Sequence, residues 1–206
     1  MLPPVFRRAA FLGLMLVALA TPARAQDLFA VPYAGVKFGG GTSIVDLEGS
    51  TSGRMFTMGG SVVMLGTGVL GYEADFGYVP GYFENENSLP LIKPGSYAID
   101  LTGAVILAVP DSVTRGGLRP YAVVGVGLIS AQAADFLEIF LVRRTVPAFK
   151  IGIGAQALLL TNNVGIRFDL RPVRSFTGDD GSLARVGRRI SYSRFTIGFT
   201  LLISSR

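Results

Sequence analysis

Carboxylates are the main candidates for chemistry in this 206-residue chain, because it contains no Cys, His or Trp. It therefore lacks the usual ligands of zinc, haem and iron–sulfur clusters and cannot form a Ser–His–Asp or Cys–His site. Glu73 and Asp75 would share one face of a strand, and paired carboxylates can divide the roles of acid and base. No recognisable substrate cleft accompanies them. We predict no catalytic residue, no metal site and no cofactor.

Charged residues of both signs fall on one face of alternating segments, which predicts an enclosed ionic network. This set contains four acids and five bases: Lys37, Glu73, Asp75, Asp100, Lys150, Arg167, Asp169, Arg171 and Arg194. Unpaired ions in a dry interior cost several kcal/mol each, so we expect the residues to pair with one another and with trapped water. The network could be an ion path or a carboxylate site. A salt-bridge plug in place of a hydrophobic core is favoured, since eight strands enclose little more than their own side chains.

The elements that must position these residues begin after an export signal. Arg7 and Arg8 precede an apolar run from Ala9 to Ala20, and the segment closes with Ala23-Arg24-Ala25. This layout is typical of a secretory signal peptide, and the run is short for a transmembrane helix. We predict a cleaved signal at 1–25 and a mature domain at 26–206. The mature domain then carries 16 basic and 14 acidic residues, and export with near-neutral charge argues against nucleic-acid binding.

Eight segments of the mature chain alternate apolar and polar residues with a period of two, which predicts strands. They are Leu28–Gly39, Arg54–Leu65, Val69–Val79, Ser96–Val109, Arg119–Ser130, Val146–Leu160, Val164–Val173 and Ile190–Ile203. Short connections alternate with the longer ones at 40–53, 80–95, 131–145 and 174–189. Outer-membrane up-and-down barrels have short periplasmic turns and long external loops. The pattern predicts an all-β, eight-stranded antiparallel transmembrane barrel.

The composition of the two faces favours a membrane barrel over a soluble one. In the last segment Phe195, Ile197, Phe199 and Leu201 share one face, while the other faces of such segments are small or charged. A soluble barrel places its bulky apolar residues inside. Glycine and charge together suit a narrow polar lumen, and the bulky face then contacts lipid. The alternative is a soluble exported barrel, similar to a lipocalin, in which the residues from Phe195 to Leu201 are buried around an apolar ligand.

Two further groups of residues are predicted to lie near the membrane surface. Five arginines in the third and fourth long connections could contact lipid A phosphates: Arg143, Arg144, Arg185, Arg188 and Arg189. An aromatic girdle could be formed by Tyr72, Phe76, Tyr78, Tyr82, Phe83 and Tyr97. The apolar segment 136–142 is unusual for a loop, and it either extends the fifth and sixth strands or dips into the interface.

Several segments resemble the outer-membrane β-barrel superfamily, which includes the transmembrane domain of OmpA and small OmpX-like barrels. The resemblance rests on the signal, the alternating connections, Gly71–Tyr78, Arg119-Pro120-Tyr121 and Asn162–Arg171. It implies an eight-stranded barrel in a diderm outer membrane, inserted by the barrel-assembly machinery. Members commonly end in an aromatic residue, whereas this sequence ends in Ser-Ser-Arg.

What the resemblance implies for function is a non-enzymatic role in envelope structure, adhesion or solute leakage. We expect a monomer in contact with outer-membrane lipid, including lipopolysaccharide, with the external loops as its interaction surface. A narrow pore for small solutes and the soluble lipocalin-like barrel remain the alternatives.

Overall fold

The computed structural model describes residues 26–42, 53–82, 96–115, 117–134, 141–159, 163–176 and 190–205. The predicted signal peptide lies outside these residues. In chain order the elements are β1 (Gln26–Thr42), β2 (Met55–Gly66), β3 (Leu70–Pro80), β4 (Tyr97–Ala108), α1 (Asp111–Thr114), β5 (Arg119–Ala134), β6 (Leu141–Leu158), β7 (Val164–Ser175) and β8 (Ile190–Ser204). No helix in the described part of the chain is both long enough and apolar enough to cross a membrane.

Each strand pairs antiparallel with its neighbours in sequence, and β8 pairs with β1 to close a barrel. The predicted eight-stranded up-and-down barrel is therefore confirmed. We call the end with the β2–β3, β4–β5 and β6–β7 connections the turn end, and the opposite end the loop end. Closure leaves no free sheet edge along the wall, so the backbone N–H and C=O groups are paired between strands.

The β5–β6 hairpin differs from its prediction. Residues 131–145 were predicted to be a long connection, but pairing continues to Ala134 opposite Leu141. The connection is therefore only 135–140, shorter than the β4–β5 connection that contains α1, and the expected strict alternation of lengths fails here. The pattern of a single segment does not show how far its partner strand continues to pair with it.

Side chains alternate strictly between the two sides of the wall. On β4 the even-numbered residues from Ala98 to Ala108 are buried, whereas Leu101 and Leu107 on the other side are 57% and 48% exposed. The same alternation on β8 leaves Phe199 61% exposed. The bulky apolar residues therefore form the outer wall. The lipocalin-like alternative required Phe195, Ile197, Phe199 and Leu201 to be buried, and it is wrong because all four lie outside.

The interior is not wholly ionic. An apolar cluster occupies each end of the lumen, so the salt bridges replace only the middle of a hydrophobic core. The loop-end cluster consists of Val79, Tyr82, Ala98, Ile129, Ala131, Val146, Ala148, Val173, Ile190 and Tyr192. The turn-end cluster consists of Phe29, Val31, Val63, Leu65, Ala104, Ile106, Ala108, Tyr121 and Val123.

Candidate functional site: the ionic layer of the barrel interior

All nine charged residues predicted for the interior are buried there, each no more than 6% exposed. They come from six strands: Lys37 from β1, Glu73 and Asp75 from β3, Asp100 from β4, Lys150 from β6, Arg167, Asp169 and Arg171 from β7, and Arg194 from β8. They form a layer between the two apolar clusters. Since the alternation of each strand decides which residues point inward, the pattern of the sequence was sufficient to select this set.

Four of these residues, nearer the turn end, form what we call the turn-side quartet: Glu73, Arg167, Asp169 and Arg171. Arg167 Nη2 donates to Glu73 Oε2 at 2.6 Å, and its Nε donates to Asp169 Oδ2 at 3.0 Å. Arg171 Nη1 donates to Glu73 Oε1 at 2.5 Å, and its Nη2 donates to Asp169 Oδ1 at 2.7 Å. Each guanidinium thus bridges both carboxylates, and the quartet is electrically neutral.

Four others, nearer the loop end, form the loop-side quartet: Asp75, Asp100, Lys150 and Arg194. Arg194 donates to Asp75 Oδ2 at 2.5 Å and to Asp100 Oδ2 at 3.1 Å. Lys150 Nζ contacts Asp75 and lies 2.8 Å from Asp100 Oδ1. Each cation again bridges two carboxylates, so this quartet is also neutral.

The two quartets touch at one point, and the ninth residue lies outside both. Arg171 Nη1 is 3.8 Å from Asp75 Oδ1, which joins the quartets into one layer. Lys37 lies towards the loop end, with Nζ 5.0 Å from the centroid of the Tyr82 ring. A buried ammonium over an aromatic face is stabilised by the ring quadrupole. Each of the four acids thus contacts at least two bases of the layer, and Lys37 lies beside it.

Three tyrosines complete the layer, and the sequence-based set did not include them. Tyr121 donates a hydrogen bond to Asp169 and accepts one from Arg167 Nε at 2.5 Å. Tyr192 donates to Asp100 Oδ2 at 2.8 Å, and the Arg194 guanidinium lies 5.0 Å from the centre of the Tyr33 ring. Their inward positions follow from the same alternation that selected the ions. The alternation could therefore have identified these three tyrosines, but the predicted set was limited to charged residues.

The pairing of the four carboxylates limits the chemistry that is open to them. All four carboxylates are held by two or more cationic groups, so none is a free base, and the described residues contain no group of three or more acids that could hold a metal ion. Taking ions out of water costs several kcal/mol each, and only close pairing and hydrogen bonding offset that cost. An arrangement of neutral quartets between apolar clusters is suited to closing the barrel.

The predicted surface groups need two corrections. Arg143 and Arg144 were assigned to a loop, but both belong to β6, because that strand begins at Leu141. Tyr82 was assigned to the aromatic girdle, but it is fully buried in the interior, since the turn at Gly81, with φ of 64°, interrupts the alternation of β3. Arg185, Arg188, Arg189 and Phe83 lie outside the described residues. The outward aromatic residues of the loop end are Phe38, Phe56, Tyr78, Tyr97, Phe149 and Phe176.

The fold of this chain is similar to that of solved outer-membrane β-barrels. Neisserial surface protein A is 14% identical with a TM-score of 0.60, and the match covers 85% of this chain and 96% of that one. A major outer-membrane protein of Thermus thermophilus is 15% identical with a TM-score of 0.52, over 84% and 98% of the two chains. The chain has the fold of the small outer-membrane β-barrels.

A third solved structure has a similar fold, whereas two other comparisons find no match. Ail, the attachment invasion locus protein of Yersinia pestis, is 15% identical with a TM-score of 0.50, over 86% of this chain and 98% of Ail. No protein-family description and no curated protein matches the chain. The predicted resemblance to small outer-membrane barrels is therefore confirmed at the level of the fold.

Proposed function

We propose that this chain is a non-enzymatic outer-membrane protein, exported by a cleaved signal at 1–25, whose barrel serves as a closed scaffold for external interaction surfaces. The observation that carries the proposal is the combination of an apolar outer wall with an ionic interior. In water this arrangement would expose the hydrophobic surface and enclose the charges. In a bilayer it places hydrocarbon against lipid and leaves no strand edge unpaired.

The height of the outer wall supports a membrane-spanning role. The outward face of β4 runs from Tyr97 to Leu107 and includes Leu101 and Val105. Ten steps of about 3.3 Å give a path of about 33 Å. A strand tilt of about 40° reduces this path to a height of about 25 Å, which matches the apolar band of outer-membrane barrels.

The two ends of the barrel suggest its orientation. Six outward aromatic residues lie at the loop end, where the ring centres of Tyr78 and Tyr97 are 5.9 Å apart and those of Phe149 and Phe176 are 5.3 Å apart. Other outward aromatic residues, such as Phe168 and Phe199, lie nearer the turn end. Aromatic side chains favour the membrane–water interface. Because outer-membrane barrels have short periplasmic turns and longer external loops, we propose that the loop end faces the outside of the cell and forms the contact surface, and that the turn end faces the periplasm.

Outer-membrane lipid is the partner that contacts the outer wall. The barrel-assembly machinery would be a partner only while the barrel is inserted. Arg143 and Arg144 on β6, with Arg185, Arg188 and Arg189 of the last connection, are our candidates for contacts with lipopolysaccharide phosphates. We also propose a monomer, since a closed barrel needs no partner strand.

Fractionation tests the location directly. The protein expressed with its signal is expected in the outer-membrane fraction, and without boiling the folded barrel should migrate differently on a gel from the boiled chain. The mature chain should begin at Gln26 when sequenced from its N-terminus. Recovery of folded protein from the soluble periplasm would contradict the proposal.

Conductance separates the scaffold from the alternative of a narrow pore. Because two apolar clusters enclose the ion pairs, we expect planar bilayers containing the purified barrel to show no discrete conductance steps. Conductance steps whose size changes in the Asp100→Ala or Arg167→Ala variants would favour the narrow pore over the scaffold. Steps that persist unchanged in both would instead indicate leakage around the barrel.

A further inference from the structure

The outward face of β7 and β8 contains three polar side chains that we call the polar notch: Arg174, Ser191 and Ser193. Arg174 lies directly across from Ser191 in the register of the two strands, and Ser193 is the next outward residue of β8. Arg174 is exposed, and the two serines are half-buried. The three side chains therefore face the surroundings of the barrel, and the ionic layer does not use them.

Arg174 is an isolated charge on an apolar wall. It is the single charged residue that points outward among the strand residues whose side chains the structure describes. Within the described part of the chain it forms no salt bridge and no side-chain hydrogen bond. A charge that faces hydrocarbon destabilises a membrane barrel, and this cost falls towards the interface. The guanidinium is therefore available to an anion that the surroundings supply.

Aromatic side chains on both sides place the notch at the edge of the apolar band. Phe149 on β6 lies across from Arg174, Phe176 follows Arg174 by two residues, and the two rings are 5.3 Å apart between their centres. On the other side, Phe38 on β1 lies across from Ser193. Aromatic side chains favour the membrane–water interface. The notch therefore lies at the level of the lipid head groups.

An apolar hollow lies in the same sector of the outer wall, closer to the turn end. Its volume is about 570 Å³. The small side chains of Ala122 and Ala155 leave room there between the bulkier Phe168, Leu170 and Phe195. Since this surface is apolar and faces the bilayer, the hollow suits a hydrocarbon chain.

The notch and the hollow are continuous along the wall. Three successive outward pairs of the β7–β8 ladder connect them: Arg174 with Ser191, Pro172 with Ser193, and Leu170 with Phe195. The four steps from Arg174 to Leu170 span about 13 Å along the strand. A molecule that fits both features therefore has an anionic head towards the loop end and an apolar chain towards the turn end.

The donors of the notch select the head group. A guanidinium can donate two parallel hydrogen bonds to one phosphate, and a serine hydroxyl can donate to another of its oxygens. A phosphate monoester carries almost two negative charges and three acceptor oxygens. The phosphodiester of a glycerophospholipid carries less charge. The notch therefore favours a phosphate monoester on a lipid.

We infer that the notch and the hollow together bind lipid A, with a phosphate monoester on Arg174 and an acyl chain entering the hollow at Leu170 and Phe195. The inference rests on the proposed function, in which the loop end faces the outside of the cell. It adds to the arginines proposed above as lipopolysaccharide contacts a site on the barrel wall itself. Arg174 supplies the charge of this site, and the β7–β8 ladder aligns the lipid with the barrel axis.

Native mass spectrometry of the full mature barrel in detergent tests this site. Bisphosphorylated lipid A is titrated as the probe, and phosphatidylglycerol, whose phosphate is a diester, serves as the comparison. We expect lipid A to bind more tightly than phosphatidylglycerol, because its phosphates carry more charge. Inorganic phosphate, which has no acyl chain to fill the hollow, should not displace lipid A.

Variants assign the affinity to the notch and to the hollow. Arg174→Gln should weaken lipid A about tenfold, since it removes a charge-assisted hydrogen bond. Arg174→Lys keeps the charge but loses the paired donors, so its affinity should lie between the two. Arg54→Gln, at the exposed arginine directly before β2 at the same end, should have no effect. Ala122→Phe fills the hollow and should weaken lipid A several-fold without changing the charge.

The outcomes separate this inference from the proposed function. Heat-modifiable migration checks that each variant is folded, and fractionation tests the location independently of lipid binding. In phosphatidylcholine vesicles, which contain no phosphate monoester, loss of Arg174 should leave the free energy of unfolding almost unchanged. Equal affinity of the wild type and Arg174→Gln for lipid A, an equal loss in Arg54→Gln, or equal affinity for phosphatidylglycerol would overturn the inference and leave the scaffold role intact.

Discussion

The inner and outer walls of the barrel are made by the same strands but have opposite compositions. On β7, Arg167, Asp169 and Arg171 are buried inside, while Phe168 and Leu170 between them are 39% and 40% exposed outside. A slip of one residue in register would exchange the two walls completely. The difference shows that the interior is stabilised by specific pairs, whereas the outer wall needs only apolar character. Substitutions should therefore have different costs on the two walls.

The largest effect is expected inside, from Arg171→Met. This change removes contacts with Glu73 at 2.5 Å and Asp169 at 2.7 Å and leaves the turn-side quartet with an unbalanced negative charge. Loss of one partner from a buried ionic group costs about 3–5 kcal/mol. The free energy of unfolding can be measured in lipid vesicles by urea titration with far-UV circular dichroism.

Two further variants show whether that cost comes from the charge imbalance. Arg174→Met, three residues along the same strand but on the exposed side, should change stability by about 0.5 kcal/mol or less. Arg171→Met combined with Glu73→Leu restores neutrality and should be more stable than the single variant. A double variant that is less stable would show that packing, and not charge balance, dominates.

The next largest effect is expected outside, from Val126→Arg. Val126 is 61% exposed at the middle of β5. A charge facing lipid near the bilayer midplane costs about 2–4 kcal/mol. The same measurement on Val113→Arg, at the 68% exposed Val113 of α1, provides the control. A cost of about 0.5 kcal/mol or less for Val126→Arg would indicate that this wall faces water.

The smallest effect is expected from a matched pair of glycine substitutions. A methyl group at Gly77 would collide with the Asp100 and Arg194 side chains, whereas at Gly103, on the outer wall of the adjacent strand, nothing lies within 4 Å. Gly77→Ala should destabilise the barrel by about 1–3 kcal/mol, the usual cost of overpacking. Gly103→Ala should be neutral or slightly stabilising. If the two substitutions change the free energy of unfolding equally in urea titrations, the ionic layer can accommodate an added methyl group at little cost.

The alternation of apolar and polar residues predicted the direction of side chains correctly wherever a strand was regular. It placed Lys37, Asp100 and Arg194 inside because the direction of a side chain in a strand depends only on the parity of its position. It failed for Tyr82, where the positive φ of Gly81 changes the direction of the chain. The β5–β6 hairpin was predicted too short for a different reason. Strand pairing beyond the barrel rim depends on how far the partner strand extends, and the pattern of one segment does not show this.

The pairing within the ionic layer lies beyond reach of the sequence pattern. Arg171 and Glu73 are 98 residues apart, and their strands, β7 and β3, are not neighbours. Which cation meets which carboxylate depends on barrel closure and on the stagger between strands.

The amino-acid sequence by itself determined which residues face inward and which face outward, and therefore which solvent each wall can tolerate. The physical reason is local, since side chains in a strand alternate with a period of two. Only the tertiary structure decided that the interior charges divide into two neutral quartets between apolar clusters. That division arises when β1 meets β8 and brings distant strands together across the lumen, where ions excluded from water can be stabilised only by one another.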